Sequence, residues 1–407
     1  RNVDNNDSCR TRQYLPLHVE IVKTLRHSSD APVVLGGSGF SIFPREIMRM
    51  TGADYGIAGA GERPLKRLLG AIERNADLPE DGLLTASPGL GEPSGDDECE
   101  FAEPVHCGRI VAHYWKTGGM IGIQSKRGCP RKCTYCTYPL IDGANVRCRD
   151  PRSVAAEIAR HRREWGVRYF FFVDSVFNLV PEHELAVARE ISSLGLDISW
   201  GAFFSPANLD RDYLRELKRS GLTHVELGVD SLCDEVLCAY GKGFAVDDAV
   251  QAALNCQAES LHCAAYLILG GPAETPDTIR RTLSVSRRLP QTVFFPFTGI
   301  RVYPGTRAHR DMLASGAVSD EEACLEPVFR FAEGLDDSSV MAIVEDAVNG
   351  RGNWVLPSSY ARLDPIVRYL RQAGHAGPLW EFLLNAPQSP RRSAGQRTAG
   401  VSGNADD

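Results

Sequence analysis

The sequence predicts an α/β protein in which a partial Rossmann-like domain is followed by a (β/α)6 partial TIM barrel and a helical C-terminal region. Two observations predict this fold. Short apolar segments ending in glycine alternate with segments of helical spacing, as in parallel sheets covered by helices. Six such strand–helix repeats follow one another over residues 120–304. The expected parts are a Rossmann-like domain at 1–84, a linker at 85–117, the barrel at 118–317, helices at 318–387 and a disordered tail at 388–407.

Composition narrows the class of protein. The 407 residues are 43% hydrophobic and 24% charged with a net charge of −7, which is typical of a globular chain and does not favour nucleic acid as a partner. No apolar run approaches the roughly 20 residues that span a bilayer. Twelve cysteines without a secretory signal predict a reducing, cytoplasmic location. The chain begins with Arg1, which suggests a truncated N-terminus.

The N-terminal region contains two predicted strands, at 31–37 and 53–59, flanked by segments of helical spacing. Ligands of parallel sheets bind at the carboxyl ends of the strands. The glycine-rich turns that follow these two strands are therefore the predicted ligand site of this domain. The turns contain Gly36, Gly37 and Ser38 after the first strand, and Gly59, Gly61 and Glu62 after the second.

The barrel region repeats the strand–helix pattern with regular spacing. Active sites of TIM-type barrels lie at the C-terminal ends of the strands, so polar residues at those ends are candidates for the site. The predicted strands are 120–124, 168–174, 197–204, 224–230, 262–271 and 292–304.

Three cysteines follow the first barrel strand. Cys129, Cys133 and Cys136 lie in a polar loop with a spacing of three and two intervening residues. Thiolates at this spacing can converge on one metal centre. Three of them suffice for three irons of a [4Fe–4S] cluster, which leaves the fourth iron open.

A structural zinc site is the alternative for this loop. It would borrow a fourth ligand from Cys107, Cys148 or a histidine. Zinc sites usually combine two separated ligand pairs, and the sequence shows no second pair. Unligated core cysteines are a further alternative, which the polar, basic loop disfavours.

The cysteine loop, with Tyr135 before the last cysteine, resembles the cluster motif of the radical S-adenosylmethionine (SAM) superfamily. The resemblance implies that the open iron chelates the amino and carboxylate groups of SAM. The reduced cluster then passes one electron to the sulfonium. The resulting 5′-deoxyadenosyl radical takes hydrogen from an unreactive carbon.

The resemblance also implies SAM contacts at the ends of the later strands. The segment "FFFVDSVFN" departs from the superfamily's Gly-Gly-Glu run, whereas "VELGVDS", "LILGGPAET" and "GIRVYPGT" resemble its later motifs. Glu226 is alternatively a half-buried strand residue, and Arg301 is either a substrate contact or paired to an acid. Glu274 is expected to cap the next helix. The implied SAM contacts are Tyr135, Asp174, Ser175, Glu226, Asp230, Ser231, Gly270, Gly271, Val302 and Tyr303.

The N-terminal segment "VVLGGSGFSIFP…GADYGIAGAGE" resembles the cobalamin-binding domain of one radical SAM subclass. The resemblance implies that the two glycine-rich turns contact cobalamin. A Rossmann-like domain that has lost its cofactor is the alternative. The segment "RNVDNND" resembles the loop after the third strand of such domains, which would place two strands outside this chain and weaken cobalamin binding.

Taken together, the resemblance implies a cobalamin-dependent radical SAM C-methyltransferase that acts on an unactivated carbon of a lipid or natural-product intermediate. A radical SAM cyclase or rearrangement enzyme and a non-catalytic metal-binding protein are the alternatives. The expected partners are a small-molecule substrate and a reductant such as flavodoxin or ferredoxin. No catalytic residue is assigned beyond the cluster.

Overall fold

The computed structural model describes residues 3–78, 83–85, 101, 103–319 and 324–385. It confirms the α/β fold class. The strands are β1 (Val34–Gly36), β2 (Tyr55–Ile57), β3 (Leu83–Thr85), β4 (Ile121–Ile123), β5 (Lys126–Arg127), β6 (Arg147–Cys148), β7 (Tyr169–Phe172), β8 (Ser199–Phe204), β9 (Leu222–Asp230), β10 (His262–Leu269), β11 (Thr292–Thr298), β12 (Ile300–Arg301) and β13 (Phe329–Arg330). The helices are α1 (Leu15–Ser28), α2 (Ser38–Ile42), α3 (Pro44–Thr51), α4 (Glu62–Arg74), α5 (Gly108–Gly118), α6 (Tyr138–Ile141), α7 (Pro151–Trp165), α8 (Pro181–Ser193), α9 (Arg211–Arg219), α10 (Asp234–Tyr240), α11 (Val246–Ala258), α12 (Pro276–Val285), α13 (Arg307–Ala314), α14 (Asp337–Val348) and α15 (Tyr360–Gln372).

Six parallel strands form the partial barrel, in the spatial order β11-β10-β9-β8-β7-β4. The chain order therefore runs without interruption from one edge of the sheet to the other. An aromatic cluster fills part of the core: the Phe172 ring lies 5.0 Å from both the Phe177 and Trp200 rings. All three side chains are buried, and each such burial stabilises the fold by about 1.5–3 kcal/mol.

Local sequence signals set both ends of α7, the long helix that precedes the second barrel strand. The Asp150 carboxylate accepts a hydrogen bond from the Ser153 amide at 3.0 Å, and Pro151 occupies the first turn of α7. Gly166 ends that helix at φ +67°. Such caps satisfy backbone groups that have no partner inside the helix.

The N-terminal sheet differs from the prediction in its third strand. β1 and β2 pair in parallel, as expected, whereas β3 pairs with β2 in antiparallel orientation. Leu83 and Leu84 of β3 are buried. Their burial stabilises a strand at the boundary where the predicted linker begins, at residue 85. The predicted linker at 85–117 also contains most of α5. Residues 86–100 and 102 of that segment, and the predicted disordered tail at 388–407, lie outside the described residues.

The sixth barrel strand is shorter than predicted. β11 ends at Thr298 because Gly299 adopts φ +66°, and the chain turns there to pair β12 with β13 in antiparallel orientation. A Cβ atom at Gly299 would lie 2.7 Å from the Phe331 ring, so only glycine fits. The predicted continuous strand at 292–304 is therefore wrong beyond Thr298.

The C-terminal region packs on the barrel. α14 lies against α12, and its side chains Val340, Val344 and Val348 are buried in the barrel core. The Trp354 ring stacks on the Phe294 ring at 4.8 Å, and the backbone beside it bonds to the open edge of β11. This segment thus covers a strand edge that would otherwise expose unpaired backbone groups.

The N-terminal region covers the C-terminal ends of the barrel strands. Asp4 accepts a hydrogen bond from Arg301 Nε at 2.9 Å. Phe40 and Phe43 share an apolar cluster with Val302 and Tyr303, which follow the last barrel strand. Among the described helices, none combines the length and apolar composition needed to cross a bilayer.

Candidate cluster and cofactor site

A cavity of about 300 Å³ lies at the C-terminal ends of the barrel strands, beneath the N-terminal region. This is the position of active sites in TIM-type barrels. Four of the implied SAM contacts line it: Tyr135, Ser175, Asp230 and Tyr303. The other lining residues are Asn6, Cys129, Arg131, Cys133, Cys136, Thr137, Tyr138, Val176, Phe203, Phe204, Ser205, Gly228, Lys242, Phe244, Tyr266, Ile268, Phe297, Gly299, Ile300 and Arg301.

All three cysteines of the predicted cluster loop line this cavity. Backbone hydrogen bonds fix the loop: the Cys129 amide donates to the Gly143 carbonyl at 3.0 Å, and the Cys136 amide donates to the Cys133 carbonyl at 3.2 Å. Burial raises the pKa of the Cys133 thiol, while the Lys242 charge acts in the opposite direction. A bound metal ion would stabilise the thiolate form against this burial.

The donor set fits an iron–sulfur cluster with one open iron. Neither a fourth cysteine nor a histidine is among the residues that line the cavity. Cys107 and Cys148, the cysteines considered as further zinc ligands, are exposed and do not line it. Three sulfur donors facing one cavity therefore favour the cluster over a closed four-ligand zinc site.

Gly128 is required by the loop that carries the cysteines. It adopts φ +93°, and a Cβ atom there would lie 1.9 Å from the Asn145 carbonyl oxygen. Gly128→Ala is therefore expected to displace the loop and to lower the iron content of reconstituted protein several-fold. Gly350→Ala is the matched control, because Gly350 lies after α14, away from the loop, and adopts φ +79° with no atom within 4 Å of a Cβ. Equal iron contents in the two variants would contradict this role of Gly128.

A polar trio on the cavity wall consists of the buried Asp230 and the half-buried Tyr135 and Lys242. The Tyr135 hydroxyl donates to the Asp230 carboxylate, and Lys242 Nζ lies 2.7 Å from Asp230 Oδ2. The pairing of β9 with β10 shifts register before Asp230, which adopts φ +68°. This bulge directs the carboxylate to the cavity.

The trio has defined protonation states. Burial acts to lower the pKa of Lys242, but the charge and hydrogen bond of Asp230 together with the charges of Cys133 and Cys136 raise it. Burial, followed by the Asp230 charge, raises the pKa of Tyr135 well above its usual range. Lys242 is therefore an ammonium group and Tyr135 a phenol at neutral pH. Lys242 was not among the predicted site residues, because it follows α10 rather than a strand; its flanking glycines, Gly241 and Gly243, were the available signal.

Asp174 does not line the cavity, and its role as a SAM contact stays a prediction. Its carboxylate accepts hydrogen bonds from the Ser125 amide at 2.8 Å and from Lys126 Nζ at 3.1 Å. Asp174 therefore fixes the start of the cysteine loop. Its neighbour Ser175 does line the cavity and donates to the Gly128 carbonyl at 3.2 Å.

Glu226 lies inside the barrel but does not line the cavity. Its carboxylate accepts hydrogen bonds from the Tyr266 hydroxyl at 2.9 Å and from Trp380 Nε1 at 3.1 Å. Burial raises the pKa of Glu226, although both hydrogen bonds act against this. Glu226 thus orients Tyr266, which does line the cavity, and its SAM contact stays a prediction.

Four further implied SAM contacts lie outside the lining residues. The Ser231 hydroxyl lies 3.2 Å from that of Thr282, and Val302 is buried in the cluster with Phe40. Cβ atoms at Gly270 and Gly271 would meet protein side chains, so these glycines permit close packing within the protein. The SAM contacts implied for these four residues stay predictions.

Glu274 does not cap the next helix, contrary to the prediction. Thr275 caps α12, whereas the Glu274 carboxyl accepts a hydrogen bond from the Gly270 amide. Burial raises the pKa of Glu274 to about 8, although the amides of Gly270 and Gly271 act to lower it. Glu274 therefore carries a proton in the folded protein at neutral pH.

This pKa predicts how stability depends on pH. The folded state binds the proton of Glu274 more tightly than the unfolded state, in which the pKa is about 4.3. Its contribution to stability is present below pH about 4 and is lost as pH rises to about 8. Urea unfolding of Glu274→Gln should therefore show a flatter dependence on pH between 5 and 8. Parallel pH profiles for the variant and the wild type would contradict this.

Arg301 is paired to an acid, which confirms one of its two predicted roles. Arg301 Nη2 lies 2.9 Å from Asp4 Oδ2 and also donates to the Cys324 carbonyl at 2.9 Å. The side chain lines the cavity, but these contacts occupy its guanidinium group. Arg301 therefore ties the N-terminal segment to the barrel.

The two glycine-rich turns of the N-terminal region lie at the same edge of their sheet, because β1 and β2 are parallel. Gly37 adopts φ +94° and Gly59 φ +81°, and a Cβ atom at either position would meet no atom within 4 Å. The backbone there is open to a ligand, which fits the cobalamin contact implied by the resemblance. Gly36 lies at the end of β1 and lines a smaller cavity of about 220 Å³ beside α1.

The remaining residues of the turns support the structure locally. Ser38 begins α2, and Gly61 precedes α4. Glu62 Oε1 lies 2.6 Å from Arg127 Nη1, next to the cysteine loop. Glu62 therefore links the N-terminal region to that loop.

Comparison with known proteins finds a family match in the barrel region. Residues 123–285 match the model of the Radical SAM superfamily. An uncharacterized methyltransferase of Pyrococcus horikoshii is 26% identical over 285 residues, which cover 68% of this chain and 61% of that protein. Tryptophan 2-C-methyltransferase of Streptomyces laurentii is 24% identical over 374 residues, which cover 75% and 62%. The chain thus spans about three fifths of the length of these relatives.

The fold is similar to that of the radical SAM methyltransferase TsrM of Kitasatospora setae. The structure with tryptophan substrate and a SAM analogue has a TM-score of 0.83 at 22% identity, covering 95% of this chain and 85% of that chain. The structure with cobalamin and a [4Fe–4S] cluster has a TM-score of 0.81 at the same identity, covering 95% and 86%. The family match lies on the barrel that carries the three-cysteine loop, and residues 123–285 of this chain are identified as a radical SAM domain.

Proposed function

We propose that this protein is a cobalamin-dependent radical SAM enzyme that methylates an unactivated carbon of a lipid or natural-product intermediate. One observation carries the proposal. The three-cysteine loop faces a cavity at the C-terminal ends of the barrel strands, beneath the N-terminal region with its open glycine turns. The methyltransferases among its relatives support methyl transfer.

Different parts of the protein would hold the cluster, SAM and cobalamin. Cys129, Cys133 and Cys136 would hold a [4Fe–4S] cluster, and the cavity beside it would hold SAM. The turns at Gly37 and Gly59 would contact cobalamin. When bound, the cluster supplies the electron for reductive cleavage of SAM, and cobalamin carries the methyl group.

The polar trio gives the cavity one charged wall. Asp230 offers a carboxylate to cationic groups of SAM, while Lys242 holds that carboxylate in place at 2.7 Å. Tyr135 donates to the same carboxylate and so stays beside Cys136. The trio therefore binds and orients, and no proton transfer is assigned to it.

An aromatic wall supports a substrate with a planar, apolar part. The Tyr266 ring stacks with the Phe297 ring at 6.4 Å and meets the Phe203 ring edge-to-face at 5.6 Å. All three side chains line the cavity. Aromatic faces bind flat apolar groups and exclude water, which would protect a reactive intermediate.

The products of SAM test this function. We expect anaerobically reconstituted protein, supplied with SAM, cobalamin, a reductant and candidate substrates, to form both 5′-deoxyadenosine and S-adenosylhomocysteine, detected by mass spectrometry. The first product alone would contradict methyl transfer and favour the cyclase or rearrangement alternative. The second alone would contradict the radical step. Tightly bound zinc without iron would support a non-catalytic metal-binding protein.

The proposed electron donor is a small acidic protein such as flavodoxin or ferredoxin. Lys132 is exposed in the cysteine loop, next to the half-buried Arg131, and these side chains place positive charge on the surface beside the proposed cluster. Opposite charge increases the rate of association between proteins. Cluster reduction by flavodoxin should therefore slow as salt is added.

A further inference from the structure

A second group of candidate metal ligands lies outside the cavity that the cysteine loop lines. A ring nitrogen of His106, a ring nitrogen of His161 and a carboxylate oxygen of Glu157 all lie within 4.8 Å of one another. Glu157 and His161 are four residues apart on α7 and so share one helix face. His106 comes from the segment that leads into α5. None of the three residues lines the cavity of the cysteine loop.

His161 provides an independent sign of a ligand. Its side chain is buried, and its Nε2 atom has no hydrogen-bond partner among the described residues. Buried polar atoms without partners are rare in folded proteins. The Nδ1 atom lies 2.8 Å from the Glu157 carbonyl oxygen, to which it donates, so that Nε2 carries a lone pair. Burial lowers the pKa of His161, which keeps the ring neutral.

Glu157 contacts Arg149, as a ligating carboxylate contacts residues around a metal site, and it also contacts His106, the second candidate ligand. Glu157 Oε2 lies 2.7 Å from Arg149 Nη1, and Oε1 lies 2.9 Å from His106 Nε2. Hydrogen bonds to a ligating carboxylate fix its orientation, as a carbonyl does for a ligating histidine. The two histidine rings are only 4.4 Å apart. A purely structural network would explain the Arg149 and His106 contacts but would leave the buried His161 nitrogen without a partner.

We propose that His106, Glu157 and His161 form a site for a divalent transition-metal ion. Two imidazoles and one carboxylate are a donor set that suits zinc, with a fourth position left for water. Arg149 offsets the Glu157 charge, which disfavours calcium and magnesium, because these ions prefer several anionic oxygen ligands. The ion would fasten the segment before α5 to α7, where Arg160 Nη2 already donates to the Pro104 carbonyl at 2.9 Å.

Zinc binding by the full chain tests the proposal. The protein is first loaded anaerobically with iron and sulfide to occupy the cysteine loop, and is then titrated with zinc sulfate. We expect one zinc per chain without loss of iron. His106→Gln and His161→Phe should each weaken zinc binding at least tenfold. His113→Gln, which replaces an exposed histidine of α5, is the control and should bind zinc as the wild type does.

Two further results decide between the outcomes. Zinc-edge X-ray absorption should show only nitrogen and oxygen ligands, whereas sulfur ligands would place zinc on the cysteines and overturn the proposal. Equal zinc affinity of the wild type and His106→Gln, or no zinc uptake by the wild type, would also overturn it. The His106 side chain is 23% exposed, so this variant is informative even where His161→Phe fails to fold.

Discussion

Replacing Cys133 with alanine is expected to remove the proposed cluster and with it all reductive cleavage of SAM. The thiol lies in the same cavity as Cys129 and Cys136, and two remaining thiolates cannot hold three irons of a cube. The iron content after anaerobic reconstitution should fall from about four per chain toward background. The broad visible absorbance of the cluster and the formation of 5′-deoxyadenosine should be lost together.

Cys148→Ala is the matched control for this experiment. Cys148 lies nearby in β6 but is exposed and does not line the cavity. The control variant should keep its iron and its reaction with SAM. A Cys133→Ala protein that still binds four irons would contradict the proposed cluster. Loss of metal in both variants would instead support the alternative of a structural zinc site with Cys148 as a ligand.

Lys126→Met is expected to lower the free energy of unfolding by about 3–5 kcal/mol, because it leaves two buried carboxylates without a counter-charge. Lys126 Nζ lies 3.1 Å from Asp174 Oδ2 and 2.9 Å from Glu184 Oε1. Its side chain is 1% exposed and lies over the Phe177 ring at 4.6 Å. Urea unfolding of the two proteins at neutral pH measures the difference.

A control and a double variant separate the buried charges from the loss of any lysine. Lys116→Met, at an exposed position of α5, should change the free energy of unfolding by less than about 0.5 kcal/mol. Lys126→Met combined with Asp174→Asn should lose less stability than the two single changes added together, because the residues share one network. Additive losses would show that Lys126 and Asp174 do not depend on each other.

Lys126 and Cys133 lie in the same part of the molecule, at the start of the cysteine loop and within it. Lys126 is separated from Cys129 by only Arg127 and Gly128, and Arg127 bonds to Glu62 of the N-terminal region. The buried Lys126 network therefore positions the start of the cysteine loop. We expect Lys126→Met to reduce iron loading as well as the free energy of unfolding, whereas Cys133→Ala should remove the iron and its reaction with SAM without unpairing a buried charge.

Much of the fold could be predicted because its signals are local. Each barrel strand is a short apolar segment followed by a segment of helical spacing, so the repeat is visible without any long-range information. The spacing of Cys129, Cys133 and Cys136 is likewise local, since one loop presents all three. The break at Gly299 was missed, because it depends on the Phe331 ring, which lies far along the chain.

The amino-acid sequence by itself determined the six-strand barrel, the three-cysteine loop and the glycine turns of the N-terminal region. Only the tertiary structure decided which polar residues face the cavity. Asp230 reaches it through a bulge and Lys242 through the loop after α10, whereas Asp174 and Glu226 are bound within the protein. The physical reason is that a buried charge must find its partner across the fold, and such partners are set by packing between distant segments rather than by local periodicity.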